Sequence, residues 1–226
     1  ERSVNNTVQV NRYPIHIDYQ PSSGELVVFT RKDIRFCDIN TGTIKYIYSC
    51  SLAADEEIVA GIYVPQQRQL VICNDRGEVK VYSSFDGQLI SNINGHTCEV
   101  SEICYDYANA LYLTSSWDSD VIIQKQSTQT TFKEVRRLSN NFNRKEITCM
   151  AVGSRHSLLA IGSVLENSVN FWDYELAKVL GGLKLEGDEE PTSLAFIHGH
   201  PIVVIGTNFA RAYIVRLEKT ESRLIT

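Results

Sequence analysis

Short apolar runs rich in β-branched and aromatic residues recur along the chain, separated by polar clusters, while helical periodicity is scarce. Five segments read as first strands of repeating units: IHIDY from Ile15, IVAGIYV from Ile58, VSEICY from Val100, ITCMAV from Ile147 and TSLAFI from Thr192. Each leads through a polar turn into a second apolar run (ELVVFT, QLVIC, LYLTSS, LLAIGS, IVVIGT) and then a third (IRFCDI, VKVYS, VIIQK, VNFWD, AYIVRL). Four units close with a weaker outer strand: KYIYS, QLISNI, FKEVRRL and KVLGGL. The segment YELAKVLGGLKLE has some helical character, but Gly181-Gly182 and its place in the period predict an outer strand.

The third strands start at Ile34, Val79, Val121, Val169 and Ala212, at spacings of 45, 42, 48 and 43 residues. A period of about 40 to 45 residues with four strands per unit predicts an all-β propeller. The physical reason is that one four-stranded sheet cannot bury both its faces alone, whereas radial stacking of sheets buries them and leaves only short edges. The expected blades span 13–50, 55–93, 95–138, 145–183 and 190–217, and 7–10 is expected as the outer strand of a preceding or closing blade.

Blade 3, GHTCEVSEICYDYANALYLTSSWDSDVIIQ, resembles the WD-repeat family nearly position by position, and the resemblance extends over most of the chain. Gly95-His96 matches the opening dipeptide, Ser116 lies near the end of the second strand, Asp118 sits in the next turn, and blade 4 supplies the closing Trp172-Asp173. The resemblance implies blade-locking roles for His96, Ser116, Asp118, Trp172 and Asp173 in hydrogen-bonded chains, which stabilise only when every member is satisfied. No repeat carries the full set: Gln124 stands at the Trp position of blade 3, and blade 4 lacks Gly-His. Blades 1, 2 and 5 depart further, and the blades are expected to be locked mainly by apolar packing. Members of the family mostly close with seven blades, so an incomplete part of a larger propeller is favoured over a five-bladed ring closed by TVQV from Thr7. A first residue of Glu1 instead of Met fits a segment of a longer chain.

Composition adds limits. Apolar residues make up 43% and charged residues 22%, as in ordinary globular domains, and no stretch approaches the roughly 20 apolar residues of a membrane span, so no membrane insertion is expected. No leader-like segment opens the chain, and a cytoplasmic location is expected. The net charge of −5 argues against a nucleic-acid partner. Cys37, Cys50, Cys73, Cys98, Cys104 and Cys149 include no CxxC pair and sit mostly in apolar runs, which favours reduced structural thiols over three disulfides.

Catalytic signatures are scarce. There is no phosphate loop, nucleophile elbow or HExxH, and no cofactor is expected. His198-Gly199-His200 has the spacing of a zinc pair but no neighbouring Cys or carboxylate, so the pair reads as turn residues and no metal is expected. Propeller topology instead gathers two sets of loops on one face. They carry the candidate partner-binding residues Trp117, Arg31, Arg76, Phe142, Arg144, Phe209, Asp188 and Glu189. Trp117 precedes the turn Asp, a position that in this family often contacts ligands, and Trp is a common interface anchor. The resemblance implies a non-enzymatic scaffold that binds other proteins within a multi-protein complex. The stretches EITCMAVGSRHSLLAIGSVLENSVNFWDYE and PTSLAFIHGHPIVVIGT are similar to WD-repeat chains associated with EF-hands and cilia, which narrows the expectation to a ciliary or microtubule-based assembly. A reader of phosphodegron or methyl-lysine peptides at the same face is the alternative, and a propeller hydrolase with titratable groups converging in a channel is a second one.

Overall fold

The computed structural model describes residues 13–20, 23–50, 52, 55–93, 95–139 and 141–218. The expected outer strand at 7–10 lies outside them. Among the described residues there is no α-helix, and no helix is long and apolar enough to cross a membrane. The chain is all-β, with four sheets of four strands and one of three. Blade 1 is β1 (Pro14–Gln20), β2 (Glu25–Thr30), β3 (Asp33–Asp38) and β4 (Thr43–Ser49), each beside its predecessor. The same order recurs in blade 2, formed by β5 (Ile58–Val64), β6 (Gln69–Asn74), β7 (Val79–Ser83) and β8 (Leu89–Ile93). Blade 3 comprises β9 (Val100–Asp106), β10 (Leu111–Ser116), β11 (Val121–Gln126) and β12 (Phe132–Leu138). Blade 4 comprises β13 (Cys149–Gly153), β14 (Leu158–Ser163), β15 (Ser168–Asp173) and β16 (Lys178–Lys184), and blade 5 has β17 (Pro191–Phe196), β18 (Ile202–Thr207) and β19 (Ala212–Arg216).

The second strands β6, β10 and β14 are buried at every position, which is why QLVICN, LYLTSS and LLAIGS show no alternation of apolar and polar residues. Outer strands β4 and β16 are mostly exposed, and their sequences are correspondingly weak in pattern. β18 alternates instead, burying Val203, Ile205 and Thr207 while the residues between them stay partly exposed. Irregularities repeat with the blades. A register shift opens the first strand of blades 1, 2 and 5, at Pro14/His16, Ile58/Ala60 and Pro191/Ser193. Another falls between third and fourth strands at Phe36/Cys37, Val81/Tyr82 and Phe171/Trp172. Such bulges sharpen local twist, which a short blade needs along its length.

Contacts divide the chain into two compact units, one holding residues up to Ile103 with Gln126–Lys133, the other Cys104–Lys125 with residues from Glu134 onward. In the first, Val27, Phe29, Ile34 and Phe36 of blade 1 pack against Ile58, Leu70, Ile72 and Tyr82 of blade 2. Gly61 permits this closeness, because a Cβ there would run into the Phe29 ring. Gly61→Ala is therefore expected to destabilise by about 1–3 kcal/mol, read as a lower urea midpoint at unchanged m-value. In the second unit one core joins Leu111, Leu113 and Ile123 to Met150, Leu159 and Tyr174. Another joins Leu158, Ala160 and Phe171 of blade 4 to Val203 and Ile205 of blade 5. No disulfide joins the six cysteines, of which Cys37, Cys73 and Cys149 are buried.

Candidate partner-binding surface

The turns between second and third strands carry four of the eight candidate residues, Arg31, Arg76, Trp117 and Phe209, and buried carboxylates organise three of the five blades there. In blade 2, Glu56 is 4% exposed and accepts from the Asn74 side chain at the end of β6 and from Lys80 Nζ at 2.7 Å. In blade 5, Glu189 is 1% exposed. It accepts from Thr207 Oγ1 at 2.6 Å and Tyr213 Oη at 2.7 Å, with Arg211 Nη1 at 3.4 Å. The Thr207 hydroxyl, then Tyr213 and Arg211, hold the Glu189 carboxyl below its ordinary pKa. Blade 1 achieves the same with Asp33, which accepts from Thr30 Oγ1 at 2.8 Å and from Arg35 at 2.9 and 3.1 Å. Lys80, Tyr213 and Arg35 occupy one equivalent place, a step beyond the first ladder pair of the third strand. Blades 1, 2 and 5 thus add polar hubs to the apolar packing expected of them. Each has a buried acid satisfied by the end of its second strand and the start of its third, as low-dielectric burial requires.

The residues expected to lock blades 3 and 4 have mixed fates. Ser116 is buried, and its hydroxyl accepts the Asp118 N–H at 3.1 Å, while Asp118 accepts the Asp120 N–H at 3.1 Å, closing the turn. The carbonyls of His96 and Cys98 press on Gly77, where a Cβ would stand 2.9 and 2.6 Å from them and where φ is +84°. Asp173 is buried and caps its turn by accepting from Leu176 N–H at 3.0 Å. Trp172 departs from its expected role: its indole N–H is buried with no hydrogen-bond partner, and its ring packs against the core around Leu159 and Tyr174. It contributes apolar area and no donor to a locking chain.

Two candidate surface residues, Phe142 and Glu189, are corrected. Phe142 is 7% exposed, because Phe142, Asn143 and Arg144 all have positive φ (48°, 54° and 68°) and this tight turn folds the ring into the core beside Leu138 and Ile147. Glu189 is consumed in its buried network. Arg31 pairs with Glu57 at 2.9 Å and Arg76 with Asp55 at 2.6 Å, so the acidic run 55–57 carries no unneutralised acid once Glu56 is counted with Lys80. Trp117 (46%) and Phe209 (59%) remain open to solvent, at the equivalent turns of blades 3 and 5, together with Arg144 and Asp188. The turn that carries Trp117 is entered from β10, buried at every position, so this aromatic is pre-organised for contact.

Titratable chemistry is sparse. His16 Nε2 lies 3.1 Å from Asp18 Oδ1, which raises the His16 pKa, and the Asp18 carboxylate also accepts the Tyr63 N–H at 2.7 Å. Burial pushes the Glu102 carboxyl up to about 7, against the opposing charge of His16. Among the described residues no group of three or more His, Cys, Asp or Glu is placed to hold a metal ion.

Residues 87–123 match the family model of the WD40 repeat (WD domain, G-beta repeat), a stretch that includes Trp117. No curated protein matches the chain. Among solved structures, the β-propeller domain of Cps50 (Swd1) from Myceliophteria thermophila aligns with a TM-score of 0.75 at 10% identity, covering 86% of this chain and 67% of that one. With 1586 solved chains matching, the likeness establishes the architecture and does not single out a role.

Proposed function

We propose, for a chain built of WD-repeat propeller blades, that it is a non-enzymatic scaffold whose turn face docks another protein. WD40 propellers in general mediate protein–protein interaction. The observation that carries the reading is Trp117, 46% exposed in the turn joining β10, buried throughout, to the buried first four residues of β11. A large aromatic held in water by a rigid hairpin costs the free protein solvation and returns it on contact, as interface anchors do. The finer reading, a cytoplasmic component of a ciliary or microtubule-based complex, rests on the similarity of blades 4 and 5 to such chains. A phosphopeptide reader would need unpaired arginines at this face; Arg31 and Arg76 are already engaged, which makes that reading weaker. A hydrolase would need converging catalytic groups; of the two carboxyls near His16, Asp18 is engaged with the His16 ring and the Tyr63 N–H, which leaves Glu102 alone and makes that reading weaker.

The test is an affinity pull-down comparing wild type with Trp117→Ala, with circular dichroism to verify folding. Specific loss of one protein from the eluate is the expected result. Retention of every partner would make Trp117 a surface residue without a docking role.

A further inference from the structure

The opposite strand ends of the second compact unit hold a different feature. Turns following β9, β13 and β17 enclose a cleft of about 480 Å³. Its apolar wall is Tyr105, Tyr107 and Phe196. Tyr105 meets Tyr107 edge-on at 4.9 Å, and Phe196 lies so flat on Gly153 that a Cβ there would stand 2.9 Å from the ring. Its polar wall is Arg155, His156, His198 and His200. His156 Nε2 sits 3.4 Å from the Gly199 carbonyl, tying the two turns together. Gly199 has φ of +76°, and a Cβ there would come within 3.4 Å of Arg155 Nη1, so the guanidinium reaches across to the blade 5 turn.

The charge of this cleft runs against that of the chain. The protein is acidic, at net −5, yet no lining residue is Asp or Glu. Arg31, Arg76, Arg137 and Arg211 all have carboxylate partners, whereas Arg155 has none among the described residues. The nearby acids are occupied elsewhere: buried Asp106 accepts from Tyr174 Oη at 2.6 Å, the Asn109 amide at 2.8 Å and the Ala108 N–H at 2.9 Å, and Glu175 accepts from Ser157 at 2.9 Å.

We propose that this cleft is a second docking site, separate from the Trp117 face, for an acidic peptide segment that carries an aromatic side chain. The ring of the peptide lies against Tyr107 and Phe196, and a flanking carboxylate takes the fork of Arg155, with the imidazoles as further donors. Nucleic acid fits less well, because a phosphate backbone calls for a line of permanent cations and the cleft has one.

The experiment is fluorescence anisotropy on the full chain with a fluorescein-labelled Glu-Asp-Phe-Asp-Glu peptide. Saturable binding that weakens at high salt is expected. Arg155→Ala and Tyr107→Ala, both at exposed positions that leave the core intact, should each weaken it about tenfold. Trp117→Ala should leave it unchanged, so failure here is separable from failure of the scaffold reading. Absence of binding, equal binding by Arg155→Ala, equal binding of the Lys-Lys-Phe-Lys-Lys peptide, or preference for an oligothymidine of similar length would each overturn the proposal.

Discussion

Replacing Glu56 with alanine is expected to lower the unfolding free energy by about 3 kcal/mol, the low end for removing one partner of a buried ion pair. The Lys80 ammonium, with a side chain 12% exposed, would lose its buried acceptor and keep only Glu78 at 2.9 Å, itself 48% exposed. Asn74 would lose one acceptor and keep the other, Glu78 at 2.9 Å. Those residual contacts place the cost at the lower end of the range. Glu56→Gln should cost less, because it preserves an acceptor for the Asn74 amide. Adding Lys80→Met to Glu56→Ala should recover more than half of the loss, since the penalty comes from a stranded charge more than from a lost attraction. Urea unfolding of the two single variants and the double variant measures the coupling. If the double variant is as unstable as the sum of the singles, Glu56 and Lys80 do not act as a unit.

Glu102→Gln should have the opposite sign and a pH dependence. The carboxyl titrates near 7 in the folded chain, against an ordinary value of 4.5, because burial disfavours its charged form. The folded state therefore binds the proton more tightly than the unfolded state, and wild-type stability falls as pH rises from 4.5 through about 7. Glutamine carries no proton to lose and removes that fall. The variant should be more stable than wild type by up to about 3 kcal/mol at pH 8 and nearly equal to it at pH 4. His16 faces this carboxyl with a charge of its own, and His16→Ala should raise the Glu102 pKa further, extending the decline to higher pH. A stability difference independent of pH would show that Glu102 is not desolvated.

The repeat frame was legible in the chain because it is written in strand-length apolar runs. Val79, Val121 and Ala212 open their third strands where the period places them, and β3 and β15 begin one residue early, at Asp33 and Ser168. Gly181-Gly182 lies inside outer strand β16, as the period implied against the local helical character. In blade 4 the ladder begins at Cys149, two residues after Ile147, which is buried and donates its N–H to the Ser116 carbonyl. The candidate surface was less legible. Glu56 and Glu189 read as members of acidic loops, and only their shared place two residues before a first strand, opposite a polar residue ending the second, marks them as hubs. Phe142 was hidden for another reason: Ser139 and the asparagines around it mark a turn, but not that three successive left-handed residues fold the ring inward. Trp172 carries the family dipeptide yet lacks a partner for its N–H, since the conformation of one side chain is set by its neighbours in space and not by the motif.

Site-specific photo-crosslinking tests the central claim, a scaffold that docks protein through its turn face, most directly. A benzophenone amino acid placed at Trp117 is compared with one at Val135, which is 52% exposed on outer strand β12. The predicted result is a discrete protein adduct from position 117 and none from position 135. Equal labelling at both positions, or none at 117 while the protein remains folded, would contradict the docking surface.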